Sequence, residues 1–95
     1  MSRHIYKTTH DSRPVEVAAG WDRPLQGFFM TVLYTDETED YEFAYNNLDF
    51  TDPHPKTFRP FALQLDKLGI TLPPKMEASI LKDGQFNAGN KIVNW

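Results

Sequence analysis

The sequence predicts an α+β domain: an antiparallel sheet of four to five strands with two C-terminal helices packed on one face. Three observations lead there. The first half of the chain alternates apolar and polar residues at period two between clusters of turn residues. At Phe58 the apolar spacing changes to three and four. Strands that follow one another directly, ahead of helices that do the same, describe segregated layers rather than alternating βαβ units. The 95 residues suit one domain spanning 1–95, and no linker, internal repeat or low-complexity tract interrupts them.

Residues 3–9, RHIYKTT, and 14–19, PVEVAA, suit extended structure, and HDSR between them supplies turn chemistry for a first hairpin. On the second strand Val15, Val17, Ala19 and Trp21 share a face, so Trp21 continues an apolar row. Pro24 holds Arg23 extended and cannot donate to a ladder, which places a turn at Arg23, Pro24 and Leu25, with Asp22 and Arg23 flanking it in water. LQGFFMTVLYT, apolar on both faces, reads as a central strand. DETED is a charged turn, and YEFAYNNLDF is a fourth strand with Tyr41, Phe43 and Tyr45 on one face. TDPHPK is a loop. Phe58, Phe61, Ala62, Leu65 and Leu68 trace a helix over 58–68 that Gly69 ends. A second helix begins at LPPK and runs through Met76 and Ile80 to a stop at DG. KIVNW has strand character and can pair with a sheet edge.

Composition narrows the chemistry. The absence of cysteine excludes disulfides, thiolate catalysis and Cys-ligated metals, and fits a cytoplasmic protein. The N-terminus lacks the apolar stretch of a secretion signal, and GFFMTVLY is too short to span a bilayer, so no membrane association is expected. A net charge of −3 argues against direct nucleic-acid binding, which draws on a concentrated basic surface. The charge is unevenly spread. From Asp36 to Asp52 there are seven acidic residues and no Lys or Arg, while the rest of the chain carries ten basic and six acidic residues. A −7 segment is thus joined to a +4 remainder.

No stretch amounts to a catalytic, metal or cofactor signature, and no cofactor is expected. His4 and His10 share strand parity but lie about 20 Å apart at ~3.3 Å per residue, too far to hold one metal. His54 could join one of them only by tertiary contact. His10, Asp11 and Ser12 are the residue types of a nucleophilic triad, but their adjacency suits a hairpin turn better. The acidic segment lacks the carboxylate spacing and glycine of a calcium loop. The five glycines form no phosphate-binding motif.

These readings favour a non-catalytic accessory, regulatory or inhibitory domain that binds another macromolecule through an acidic or aromatic surface. The expected partner is a protein, a basic one being the natural complement of the acidic segment. Candidate contact residues are Trp21, Arg23, Asp36, Glu37, Glu39, Asp40 and Trp95, because Trp and Arg are frequent interface anchors and the four carboxylates form a one-signed patch. The alternative is a small enzyme or ligand-binding domain with a pocket between sheet and helices, drawing on Tyr6, His10, Arg23 or Tyr45.

Overall fold

Asp11 and Ser12 both adopt left-handed φ, 52° and 63°, as the two-residue turn of a tight hairpin requires. This hairpin joins β1 (Ser2–His10) to β2 (Arg13–Asp22) in the register His10↔Arg13, Tyr6↔Val17 and His4↔Ala19. The structure, a computed structural model, describes residues 1–36, 42–47 and 53–95. The carboxylates of Glu37, Glu39 and Asp40, Tyr41 at the start of the expected fourth strand, and the first two residues of the TDPHPK loop lie outside the described residues.

A second turn leads from β2 to β3 (Gly27–Tyr34). The Gln26 amide donates to the Arg23 carbonyl at 3.2 Å, and the Leu25 amide donates to Asp22 Oδ1 at 3.3 Å. Asp22 is buried rather than solvated as the sequence suggests, because its carboxylate is consumed in holding this turn. β4 (Phe43–Asn46) then pairs with β3 through an irregular register: Val32 faces Tyr45, but Leu33 faces Phe43. The extra residue, Ala44, is a β-bulge and breaks the alternation expected from the sequence. Tyr45 therefore packs against the core, whereas Phe43 is exposed.

The helical periodicity gives α1 (Arg59–Leu68), with Pro60 in its first turn and Gly69 at φ 70° closing its C-terminus. It is followed by α2 (Pro74–Gln85). Helix α2 ends at Gln85, one residue past the DG pair. A Cβ on Gly84 would meet the Phe28 ring at 2.5 Å, so this glycine permits close packing of helix on sheet.

β5 (Lys91–Asn94) completes a sheet of order β4-β3-β2-β1-β5. The first four strands are antiparallel, as the turns dictate, but β5 runs parallel to β1 in the register Arg3↔Ile92 and Ile5↔Asn94. The sheet is therefore mixed. The two helices carry the chain from the β4 edge to the β1 edge, and β5 enters from the end at which β1 starts.

The core lies between the helices and one sheet face. Val15, Val17, Ala19 and Trp21 of β2 stand beside Phe28, Met30 and Val32 of β3, under Phe58 just before α1, Phe61 and Leu65 from α1, and Met76 and Ile80 from α2. Helix α2 lies over β1 and β2. On the β3–β4 side, Phe61 meets Tyr45 edge-to-face at 6.1 Å and Phe58 meets Phe28 at 5.8 Å. Among the described residues no helix is long and apolar enough to cross a membrane.

Leu65 is 5 % exposed within this layer, so Leu65→Ala should cost about 2–5 kcal/mol in urea unfolding. At the β2–β3 turn, Trp21→Ala should cost about 3–5 kcal/mol. Arg23→Ala, one residue past the strand and exposed, should stay within about 0.5 kcal/mol of the parent.

Candidate functional site

The first residues of β1 alternate inward, which buries Ser2 and His4, two polar side chains on the helix-facing side. Buried polar groups need partners. They find them on the last turn of α2, where Asp83 is also buried. His4 Nε2 lies 2.6 Å from Asp83 Oδ2, and the Lys91 ammonium lies 2.6 Å from Asp83 Oδ1. The Ser2 hydroxyl donates to the same carboxylate while its oxygen accepts the Trp21 amide at 3.1 Å. Trp95 Nε1 donates to His4 Nδ1 at 2.9 Å, with the two rings stacked at 6.0 Å.

The tautomer of His4 follows from these contacts. An indole N–H can only donate, so Nδ1 is the acceptor and Nε2 carries the proton given to Asp83. Burial pushes the Asp83 carboxyl up, but hydrogen bonds from His4, Lys91 and Ser2, together with the Lys91 charge, outweigh it and hold the group below the usual carboxylate value. The arrangement ties β1, α2 and β5 together from within. Ser2 and His4, at 0 % and 1 % exposed, have no access to a substrate, so this constellation is structural.

What it supports is an open edge. The Lys91 amide donates to the Met1 carbonyl and the Trp95 amide to the Ile5 carbonyl, so alternate main-chain groups of β5 face β1. The intervening Ile92 and Asn94 therefore direct theirs away from the sheet, and β5 is the last strand in the order. Ile92 is 69 % exposed and Trp95 39 %. Two shallow clefts run along this edge. One is lined by Met1, Arg3, Asn90, Lys91 and Ile92, the other by Ile5, Lys7, Asn94 and Trp95.

The candidates from the sequence are dispersed over the fold. Trp21 is 6 % exposed, meets Phe28 edge-to-face, and donates its indole N–H to Asn87 Oδ1 at 2.9 Å. Arg23 is exposed in the turn and lines a third cleft with Pro24, Gln26 and Asn90. Asp36 sits at the opposite end of the sheet, held by Arg13 through two hydrogen bonds of 2.6 and 3.0 Å. The same guanidinium contacts Glu42 at 2.9 Å and lies over the Tyr34 ring at 3.8 Å. Hydrogen bonding to Arg13 holds Asp36 below the usual carboxylate range, and that to Asp36 and then Glu42 raises Arg13 further above its ordinary value. Asp36 and Glu42, the acidic residues of this segment among the described residues, are thus both engaged within the chain.

Of the residues considered for a pocket, Tyr6 and Tyr45 pack against the core, and burial raises the Tyr45 hydroxyl pKa. His10 Nδ1 donates to the Leu68 carbonyl at 2.9 Å, at the far end of β1 from His4, and His54 packs against Gly27. Among the described residues no group of three or more His, Asp or Glu is placed to hold a metal. Sequence reasoning missed Ser2, Asp83 and Lys91. The one signal for them is Asp83 within the apolar spacing of α2, at Met76, Ile80, Asp83. Comparison with protein-family models, with curated proteins and with solved structures finds no match to this chain.

The depressed pKa of Asp83 links stability to pH. A carboxylate more acidic folded than unfolded stabilises the fold above the ordinary value near pH 4, and this contribution fades as pH falls through the lower, folded value. Urea midpoints should accordingly drop below about pH 4, and Asp83→Ala should flatten that part of the profile. The variant should also lose about 3–5 kcal/mol near neutral pH, because Ser2 and His4 remain buried without their acceptor.

Proposed function

We propose that this protein is a non-catalytic binding domain that engages a partner protein along β5 and the adjoining strip of β1. The observation that carries this reading is the open main-chain edge of β5, flanked by exposed Ile92 and Trp95. Sheet edges of this kind invite another strand unless blunted, and aromatic side chains beside them anchor contacts. Trp95 suits the role because its indole N–H is fixed on His4, leaving part of the ring outward at little further entropic cost. The role would be accessory, regulatory or inhibitory, exerted by occupying a partner's segment rather than by chemistry.

The acidic segment offers the second contact surface, favoured by seven carboxylates in a stretch with no Lys or Arg of its own, although Arg13 of β2 engages two of them. Site-specific photocrosslinking in the native host separates the two. A benzophenone side chain placed at position 92, at position 40, or at exposed Leu63 on α1 reports which surface meets a partner. A discrete adduct at position 92, absent at Leu63, is the expected result. An adduct at position 40 alone would move the contact to the acidic segment, and none at either would remove the binding reading.

A further inference from the structure

We infer that the segment docking on β5 is an extended, acidic strand of a different protein, a proposal that rests on the binding role assigned to this edge. Ile92 and Asn94 offer outward N–H and C=O groups at alternate positions, the pattern that an added strand completes.

Charge identifies the occupant. Arg3 and Lys7 are exposed on β1, on the same face as Ile5, and about 13 Å apart at ~3.3 Å per residue. Neither has an ion-pair partner among the described residues. Arg3 lines one cleft beside Ile92, and Lys7 lines the other beside Ile5 and Asn94. Among the described residues no Asp or Glu lines either cleft. A strand laid along β5 would meet Ile92 and Asn94 directly, with Ile5 and the two cations, Arg3 and Lys7, one strand behind them on the same sheet face. Carboxylates at the corresponding positions of that strand would find both cations within side-chain reach, gaining steering and register.

The same charges argue against a second copy of this chain. Two-fold pairing of β5 with another β5 would gather Arg3 and Lys7 of both copies, four cations without ion-pair partners among the described residues, on one face of the joined sheet, while Lys91 stays engaged with Asp83, and this accumulation of one sign disfavours the pairing.

Selection from a random dodecapeptide display library on the immobilised full chain tests the proposal. Two variants accompany it. Arg3→Gln/Lys7→Gln removes the cations at exposed positions. Ile92→Pro deletes an outward N–H while leaving intact the Lys91 and Trp95 amides that bond β1. Circular dichroism and melting temperature establish that each variant folds. The expected result is enrichment of peptides alternating Asp or Glu with β-branched residues. The best of these should bind the cation-free variant and Ile92→Pro at least about tenfold more weakly than the parent, and should weaken further as salt rises.

Four outcomes overturn the proposal: no enriched peptide, enriched peptides without acidic character, binding indifferent to both folded variants, or a mass in sedimentation that doubles through β5 and reverts in Ile92→Pro. Binding of a single-stranded oligothymidine that requires Arg3 and Lys7, without any peptide preference, would assign the edge to nucleic acid instead. A crosslink at position 92 combined with a selection that shows no acidic preference would retain the binding role and reject the acidic occupant.

Discussion

A carboxylate in a protein interior requires donors, and Asp83 collects three kinds: a hydroxyl from Ser2, an imidazole N–H from His4 and an ammonium from Lys91. The donors come from two strands and the acceptor from a helix. Ser2 and His4 open β1, Lys91 opens β5, and the acceptor sits on the last turn of α2. Loss of any partner strands polar groups where water cannot replace them, so the four residues constrain one another strongly. His4 extends the constraint one step further, because its second nitrogen accepts the Trp95 indole N–H. Besides its ladder with β1, β5, and with it the surface proposed for binding, is therefore held by a buried carboxylate.

Away from this cluster the molecule divides its aromatic residues by depth. Trp21, Phe28, Phe58, Phe61 and Tyr45 form a continuous series of edge-to-face contacts across the helix-facing side of the sheet, at centroid separations of 5.0, 5.8, 5.7 and 6.1 Å. Such pairs add directional preference to area burial, which helps a domain of this size fix a single packing arrangement. A high aromatic content by itself therefore says little about binding here, since much of it is core. The exposed aromatics among the described residues, Phe43, Phe86 and Trp95, belong to β4, the C-terminal cap of α2 and the residue after β5.

The opposite end of the sheet shows electrostatics of another kind. Arg13 gathers Asp36 and Glu42 from two stretches of the acidic segment and lies over Tyr34. Because these groups are partly exposed, their contribution to stability is modest and screened by salt. Their geometric effect is clearer. They direct two carboxylates toward a cation of this chain, which lowers the charge available to attract another molecule.

Local chemistry was legible where it acts over a few residues. Pro24 sets a turn, the row Val15, Val17, Ala19 and Trp21 sets a buried face, and the spacing Phe58, Phe61, Leu65 sets a helix, because period and φ restriction are properties of short segments. The sequence thus determined the α+β class, the antiparallel hairpins and the helical face. The tertiary structure alone decided the rest. Gly84 reads only as a helix stop until the Phe28 ring shows that it is also a packing contact, and Phe43 reads as a partner of Tyr45 until the bulge separates them. The direction of β5 depends on where a helix pair returns the chain, which no residue of KIVN records. The meeting of Ser2 and His4 with Asp83, across a separation of 79 residues for the histidine, has no local trace either. Long-range polar pairing is set by the folded path of the whole chain, so the cluster that holds the binding edge became visible only once that path was known.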